Sequence, residues 1–184
     1  MKLPTYMPYI PDKFDGTLIL GESCPKGPDM NTLTGWDPWF DKGYPKKFIQ
    51  KHVKDNKDND VNTFRNLRKS FEPVLSADEF WSIKAFTNFI PELLPNSKAR
   101  PTAQQWASGR NEFETILNVV NPKRILVVGD QLWENLPLGE NEEDNKCFFR
   151  STILTMCIPH PSRWNRIKYT VHDARRITAI LMNY

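Results

Sequence analysis

Four stretches of this chain are rich in apolar residues and follow no regular alternation of apolar and polar positions. They are residues 17–20, 83–89, 124–129 and 147–158. Short apolar runs of this kind are typical of strands buried on both faces, as the strands of a parallel sheet are. We therefore predict a strand in each of the four stretches.

Apolar positions between these stretches recur at the spacing of a helix. Ser76 and Thr102 each begin a capping box, because Glu79 and Gln105 follow three residues later. Each box predicts the first turn of a helix, and the second helix is predicted to end before Pro122. Other helices are predicted over 46–54, 61–71 and 171–181, and a further helix is predicted to start within 132–135. The acidic stretch 140–146 is predicted to be a loop.

The order of these elements predicts the fold class. Strands that alternate with helices are typical of an α/β fold, in which helices cover both faces of a parallel sheet. A length of 184 residues fits one domain with a sizeable core. We expect a single three-layer α/β/α domain over residues 1–184, with a central, mostly parallel sheet of about four strands.

Polar side chains stand where three of the predicted strands end. Glu22 and Ser23 follow the first strand. Asn88 ends the second, and His160 follows the last. Because the carboxyl ends of parallel strands share one edge of a sheet, where ligands bind in open α/β folds, we expect these side chains to converge. The loop after the first strand carries aromatic residues that either line a pocket or fold onto the core: Trp36, Trp39 and Phe40.

Composition narrows the class of protein without giving a function. With 39% hydrophobic and 26% charged residues, the chain falls in the globular class. The net charge of +3 and the pI of about 8.7 permit a polyanionic partner but do not require one. Three cysteines without a CxxC pair indicate neither a disulfide framework nor a metal site, so we expect no metal and no cofactor. The chain shows no signal-peptide pattern and no long apolar run, which predicts a cytoplasmic protein without a membrane span.

Four short motifs, taken in order, resemble those of the uracil-DNA glycosylase superfamily. That superfamily opens with an apolar strand and a Gly-Glu-Ala-Pro or Gly-Gln-Asp-Pro motif, then has a strand ending in Asn. A helix leading into an apolar strand follows, and a His-Pro-Ser motif precedes the last helix. The corresponding stretches here are residues 21–25 (GESCP), 86–88 (FTN), 106–120 with 125–129, and 160–162 (HPS). The chain is also similar to a poorly characterised branch of that superfamily, through residues 18–23, 99–102 and 127–133.

The resemblance implies a hydrolase that removes uracil or another altered base from DNA. In that reaction the sugar gains oxocarbenium character and the base leaves as an anion. The resemblance gives the catalytic roles to Glu22 and His160. It gives the base-reading role to Asn88. An extruded base needs an aromatic to stack on, so we also expect base contacts from the loop aromatics Trp36, Trp39 and Phe40, and from Ser23. The basic segment after the last motif suits contacts with DNA, which we expect from Ser162, Arg163, Trp164, Arg166 and Lys168. The implied partner is single- or double-stranded DNA, or a free nucleobase or nucleotide, and a monomer is expected.

Two other functions stay open at the level of sequence. Ser23 and Cys24 separate Glu22 from the proline, where the similar motif has one residue. Such a change fits a glycosylase-like module that binds nucleic acid or a protein partner without cutting. The GES sequence at 21–23 also resembles the Gly-Asp-Ser opening of one esterase group with a late histidine base, so a serine hydrolase is the third hypothesis.

Overall fold

The structure is a computed structural model that describes residues 7–25, 62–96, 98–137, 139–143 and 145–184. The predicted helix over 46–54 and the loop aromatics Trp36, Trp39 and Phe40 lie outside the described residues. None of the described helices is both long and apolar enough to cross a membrane.

The described part of the chain forms a mixed α/β fold around a mostly parallel sheet of six strands. In chain order the strands are β1 (Thr17–Gly21), β2 (Cys24–Pro25), β3 (Ala85–Asn88), β4 (Leu93–Leu94), β5 (Arg124–Val128), β6 (Glu140–Glu143), β7 (Lys146–Phe149) and β8 (Ile153–Ile158). The order in the sheet is β3-β1-β5-β8-β7-β6, and its first four strands are parallel. β2 and β4 form a separate parallel pair.

The sheet has six strands where about four were expected, because the chain from 140 to 158 forms three of them. Arg150 and Ser151, with φ of 52° and 58°, turn the chain between β7 and β8. β7 runs antiparallel to β8, and β6 runs antiparallel to β7. The prediction of an acidic loop over 140–146 is wrong, since pairing with β7 outweighs the low strand propensity of Glu and Asn.

Five helices and one 3₁₀ turn accompany the sheet within the described ranges. They are α1 (Asn62–Lys69), α2 (Ala77–Trp81), α3 (Ala103–Val120), α4 (Asp130–Trp133), the 3₁₀ turn Pro161–Arg163, and α5 (Val171–Met182). Both predicted capping boxes are confirmed, because Ser76 accepts from the Glu79 N–H and Thr102 accepts from the Gln105 N–H. A third box, which sequence reasoning missed, starts α5 at Thr170.

Alternate residues of the parallel strands enter two separate apolar clusters. One cluster joins β1 and β5 to α3 through Leu18, Leu20, Ile125, Val127, Phe113 and Leu117. The other joins the remaining residues of the same strands to α1 and α5 through Ile19, Leu126, Val128, Leu67, Ala174 and Leu181. Because apolar side chains pack on both faces of the sheet, these strands are continuous apolar runs in the sequence.

A buried ion pair lies where β1 and β3 begin. Lys84, only 2% exposed, pairs with Asp15, and its ammonium lies 3.3 Å from the Thr17 hydroxyl oxygen and 4.9 Å from the centre of the Phe71 ring. Burial lowers the pKa of Lys84, and the carboxylate of Asp15 opposes that effect. The pair lies at the edge of the sheet opposite to the one where the strands end, and removing one partner would leave the other charge buried without compensation.

Candidate functional site

The carboxyl ends of four adjacent parallel strands form one edge of the sheet, here called the rim. β3 ends at Asn88, and Glu22 follows β1. Gly129 follows β5, and His160 lies two residues beyond β8. β1 and β3 end at the same level of the sheet, since their last residues, Gly21 and Asn88, are paired. The rim therefore carries the carboxylate, the amide and the imidazole that the sequence placed at strand ends.

Gly21 allows the amide of Asn88 to lie directly against β1. A Cβ atom at Gly21 would be 2.5 Å from Asn88 Oδ1, which is closer than van der Waals contact allows. The Phe89 N–H donates to the Gly21 carbonyl at 2.8 Å. The Ile90 N–H donates to the Glu22 carbonyl at 2.9 Å. The segment 88–90 therefore holds the backbone of Glu22 and also carries the side chain of Asn88.

The side chain of Glu22 is a half-buried carboxylate at the rim. The Ser23 hydroxyl donates to its Oε1 at 3.4 Å. Burial raises the pKa of Glu22 above the ordinary value of 4.5, and the positive charge of Arg100, the Ser23 bond and Arg163 oppose that rise. A carboxyl group whose pKa is raised in this way is a stronger base than one in water.

His160 caps the 3₁₀ turn that follows β8. Its Nδ1 accepts a hydrogen bond from the Ser162 N–H at 3.4 Å and lies 2.8 Å from the Ser162 hydroxyl oxygen. Since Nδ1 is the acceptor, the neutral imidazole carries its proton on Nε2, which becomes the donor for a ligand. The turn is held by Trp164, whose Nε1–H donates to the Pro159 carbonyl at 2.7 Å.

The charge state of His160 is set by burial and by neighbouring charges. Burial is the largest cause that lowers the pKa of His160 below 6.5, followed by the positive charges of Arg163 and Arg100, while Asp130 opposes them. The imidazole is therefore neutral at pH 7. Gly129 brings the end of β5 close to it, since a Cβ there would lie 3.8 Å from His160 Cβ.

Arg100 and Arg163 act on both titratable groups of the rim. Each lowers the pKa of Glu22, and each lowers the pKa of His160. The same two positive charges therefore favour the ionised form of the carboxylate and the neutral form of the imidazole. Sequence reasoning missed Arg100 and Asp130 as site residues. Both lie in stretches that carry the resemblance to the poorly characterised branch, 99–102 and 127–133, but that resemblance gave neither of them a role.

The segment after His160 presents most of the predicted DNA contacts to solvent. The exposed residues among them are Ser162, Arg163, Arg166 and Lys168. Trp164, by contrast, is 2% exposed and packs on Tyr169, with the ring centres 5.5 Å apart. The structure places Trp164 inside the turn, where it positions the exposed residues and has no surface to offer to DNA.

Ile167 is an exposed apolar residue that sequence reasoning missed. It is 50% exposed and lies between the cations Arg166 and Lys168. Its backbone N–H donates to the Arg163 carbonyl at 3.2 Å, which fixes it to the turn that follows His160. An apolar side chain flanked by cations is an arrangement with which proteins insert a wedge between stacked bases.

Two other kinds of site are not formed by the described residues. Ser23 donates to Glu22 while His160 bonds to Ser162, so the pair that a serine hydrolase with nucleophile Ser23 requires is not made. No group of three or more His, Cys, Asp or Glu side chains in the described ranges could hold a metal ion.

No family model matches the chain, and no curated protein matches it either.

Proposed function

We propose that this protein hydrolyses the N-glycosidic bond of uracil or another altered base in DNA, on a three-layer α/β/α, glycosylase-like core. The observation that carries the proposal is the position of Glu22, Asn88 and His160 at the ends of three parallel strands of one sheet. A carboxylate, an amide and an imidazole are the groups that this reaction uses. The apolar clusters on the two faces of the sheet support the layered core.

Glu22 acts on the sugar in this mechanism. Cleavage of the glycosidic bond gives the sugar oxocarbenium character, and a carboxylate beside it stabilises that charge and orients the attacking water. The Ser23 hydroxyl engages Oε1. We assign Oε2 as the oxygen that accepts the proton of the water.

His160 acts on the leaving base. Its Nε2–H donates to a carbonyl oxygen of the base as negative charge develops there. A fixed donor of this kind contributes about 3 kcal/mol to stabilisation of a transition state. The hydrogen bond from Ser162 to Nδ1 fixes the tautomer, so no proton has to be rearranged during the reaction.

Asn88 reads the base. Its amide offers one acceptor and two donors, which match the alternating donor and acceptor groups along the edge of a pyrimidine. Gly21 leaves room for the Asn88 amide oxygen beside β1, since a Cβ at that position would lie 2.5 Å from Oδ1.

The exposed segment 162–168 contacts DNA in the proposed complex. Arg163, Arg166 and Lys168 supply phosphate contacts, which fix the protein on the strand without reading its sequence. Ile167 enters the base stack beside the extruded nucleotide, and the neighbouring cations hold the flanking phosphates.

The test is formation of abasic sites in an oligonucleotide that contains uracil, detected by strand cleavage in alkali. We expect Glu22→Gln to lower the rate by about a hundredfold, because the amide cannot accept the proton of the water. Asp78→Asn, a matched carboxyl-to-amide change on the exposed face of α2, should leave the rate unchanged. The proposal fails if the unmodified protein releases neither uracil nor any other base from a panel of damaged oligonucleotides.

A glycosylase-like module that binds nucleic acid without cutting is the second candidate. The exposed cations of segment 162–168 favour it, since phosphate binding requires no catalytic carboxylate. Under this alternative, Arg166→Gln weakens DNA binding and lowers its salt slope by about 1, whereas Glu22→Gln changes nothing. Binding that does not change between low and high salt would exclude it.

A further inference from the structure

The turn that carries His160 contains two prolines, which leave it with few backbone donors. Pro159 and Pro161 flank the histidine and have no N–H of their own. Their carbonyl oxygens each accept a hydrogen bond from a side chain. Trp164 Nε1–H donates to the Pro159 carbonyl at 2.7 Å, and Asn66 Nδ2–H donates to the Pro161 carbonyl at 3.4 Å. Trp164 directly follows the 3₁₀ turn, whereas Asn66 lies on α1, 95 positions away from Pro161.

The hydrogen bond from Asn66 orients the peptide group between Pro161 and Ser162. The oxygen of that peptide accepts from Asn66 Nδ2, and its N–H donates to His160 Nδ1 at 3.4 Å. Because a peptide group is planar, a bond that holds its oxygen also sets the direction of its N–H. The two hydrogen bonds polarise the peptide in the same sense, so each strengthens the other. Asn66 therefore acts on the imidazole through one peptide group.

The peptide N–H of Ser162 decides the tautomer of His160, and the neighbouring hydroxyl does not. The Ser162 hydroxyl oxygen lies 2.8 Å from Nδ1, and a hydroxyl can either donate to a bare nitrogen or accept from a protonated one. The backbone N–H can only donate, so it favours the imidazole with a bare Nδ1. If the peptide rotated away, the tautomer with its proton on Nδ1 would become more populated.

α1 is firmly anchored to the rest of the fold. Leu67, on this helix, is 1% exposed and packs in the apolar cluster that α1 shares with α5. Two side chains of α5 bond to the backbone where α1 ends. Arg175 Nε–H donates to the Lys69 carbonyl at 2.9 Å, and the Thr178 hydroxyl donates to the Ser70 carbonyl. A donor on an element held in this way has the fixed geometry that a supporting residue of a site requires.

We propose that Asn66 is a positioning residue for His160, which fixes the peptide group between Pro161 and Ser162 and so keeps the imidazole proton on Nε2. Use of that proton on a leaving base rests on the proposed function, whereas control of the tautomer does not. Asn66 acts without touching the base or the sugar. α1 thereby becomes part of the site, although sequence reasoning gave it no role there.

The test is the ¹⁵N spectrum of the imidazoles, recorded on the whole chain well above pH 6.5, where His160 is neutral. The two ring nitrogens give widely separated signals when one tautomer dominates, and the signals move together when both are populated. In the unmodified protein we expect a bare Nδ1 and a protonated Nε2. Asn66→Leu, which has a similar size but no donor, should lower the ratio of the two tautomers by about fivefold. Asn66→Gln, whose amide still donates, should keep the signals apart.

Asn118→Leu is the matched control, because it removes an amide of the same kind from α3, on the other face of the sheet. That amide accepts a hydrogen bond from Arg150 Nη2 at 2.8 Å, so each variant loses one side-chain hydrogen bond of a helix. Asn118→Leu should leave the His160 signals unchanged, and the signals of the exposed His172 should move in neither variant. Asn66→Ala, which removes the donor and suits a helix, gives the same comparison if Asn66→Leu does not fold.

Kinetics on an oligonucleotide that contains uracil separate positioning from stability. The donor of His160 is needed most as charge develops on the base, so Asn66→Leu should lower kcat by about fivefold with KM unchanged. The positioning role is refuted if Asn66→Leu leaves the tautomer ratio unchanged, if Asn66→Gln loses as much as Asn66→Leu, or if the unmodified protein carries its proton on Nδ1. If the ratio falls as expected but the unmodified protein releases no base, the positioning role stands and the glycosylase activity falls.

Discussion

Gly21→Ala is expected to damage the site while leaving the fold intact. The new Cβ would lie 2.5 Å from Asn88 Oδ1 and 3.5 Å from Phe86 Cε2. Gly21 does not have the left-handed φ that excludes other residues, so the backbone accepts alanine. The collision therefore falls on the end of the half-buried Asn88 side chain, which has to rotate.

Gly21→Ala is expected to have a small effect on the free energy of unfolding and a large effect on kcat/KM. Asn88 Oδ1 has to retreat by about 1 Å to reach van der Waals contact. A side chain forced away from its preferred rotamer costs about 1 kcal/mol, and alanine offsets about 0.5 kcal/mol by restricting the unfolded chain. The free energy of unfolding should therefore change by less than about 1 kcal/mol. A displacement of 1 Å in a positioning group can lower kcat/KM by about a hundredfold.

The assay is a double-mutant cycle on the formation of abasic sites. Gly21→Ala, Asn88→Ala and the double variant are compared by kcat/KM, and their unfolding is followed in urea. Because the effect of the new methyl group passes through Asn88 Oδ1, the double variant should be no slower than Asn88→Ala alone. The reasoning is refuted if the two losses of activity multiply, or if Gly21→Ala lowers the free energy of unfolding by more than about 2 kcal/mol.

Three further expectations follow from the structure. Activity should fall once the pH drops through the pKa of His160, which burial holds below 6.5, because protonation places a second proton on Nδ1, where the backbone N–H of the turn now donates. Protonation of Glu22, whose pKa is raised above 4.5, lowers activity in the same direction, so a rate that stays flat down to pH 4.5 would contradict both assignments. Asp15→Asn should lower the free energy of unfolding, measured in urea, by about 3 kcal/mol, because it leaves the ammonium of Lys84 buried without its counter-charge. Combining it with Lys84→Met should restore most of that loss. Gly109→Ala should lower the free energy of unfolding by about 1 kcal/mol. Its Cβ would lie 2.8 Å from the Phe89 carbonyl oxygen, and the resulting strain of about 2 kcal/mol exceeds the gain in helix propensity. A variant more stable than the parent protein would show that α3 can shift.

The elements that the sequence predicted well are those whose signals are local. A capping box is complete within four residues, and the boxes at Ser76 and Thr102 are present as predicted. Strands buried on both faces must be apolar throughout, which located β1, β3 and β5. The same signals placed Glu22 and Asn88 at strand ends.

The hairpin of β7 and β8 gave no such signal. Its turn uses Arg150 and Ser151 at positive φ, where glycine or asparagine would have marked the turn in the sequence. β6 is formed by acidic residues with low strand propensity, and it exists because β7 lies beside it. The number of strands in the sheet therefore depended on pairings that local patterns do not report.

Arg100 and Trp164 show where sequence reasoning failed at the rim, because their surroundings are set by residues that local patterns do not indicate. The charge of Arg100 lowers the pKa of Glu22, although 78 positions of sequence separate the two residues. The pairing of β4 with β2 brings the two parts of the chain together, and nothing near either strand in the sequence indicates that pairing. Trp164 was expected to contact DNA. It is buried because its indole bonds to the Pro159 carbonyl and packs on Tyr169.

The central claim is that His160 and Asn88 bind the same ligand, and titration of the ¹⁵N-labelled protein with free uracil tests it most directly. The chain contains three histidines, and His172, exposed on α5, serves as an internal control. We expect the Nε2 signal of His160 and the side-chain amide of Asn88 to shift with one common dissociation constant, while His172 does not move. Shifts of His160 and Asn88 with different dissociation constants, or no shift of either, would contradict the claim that one site contains both.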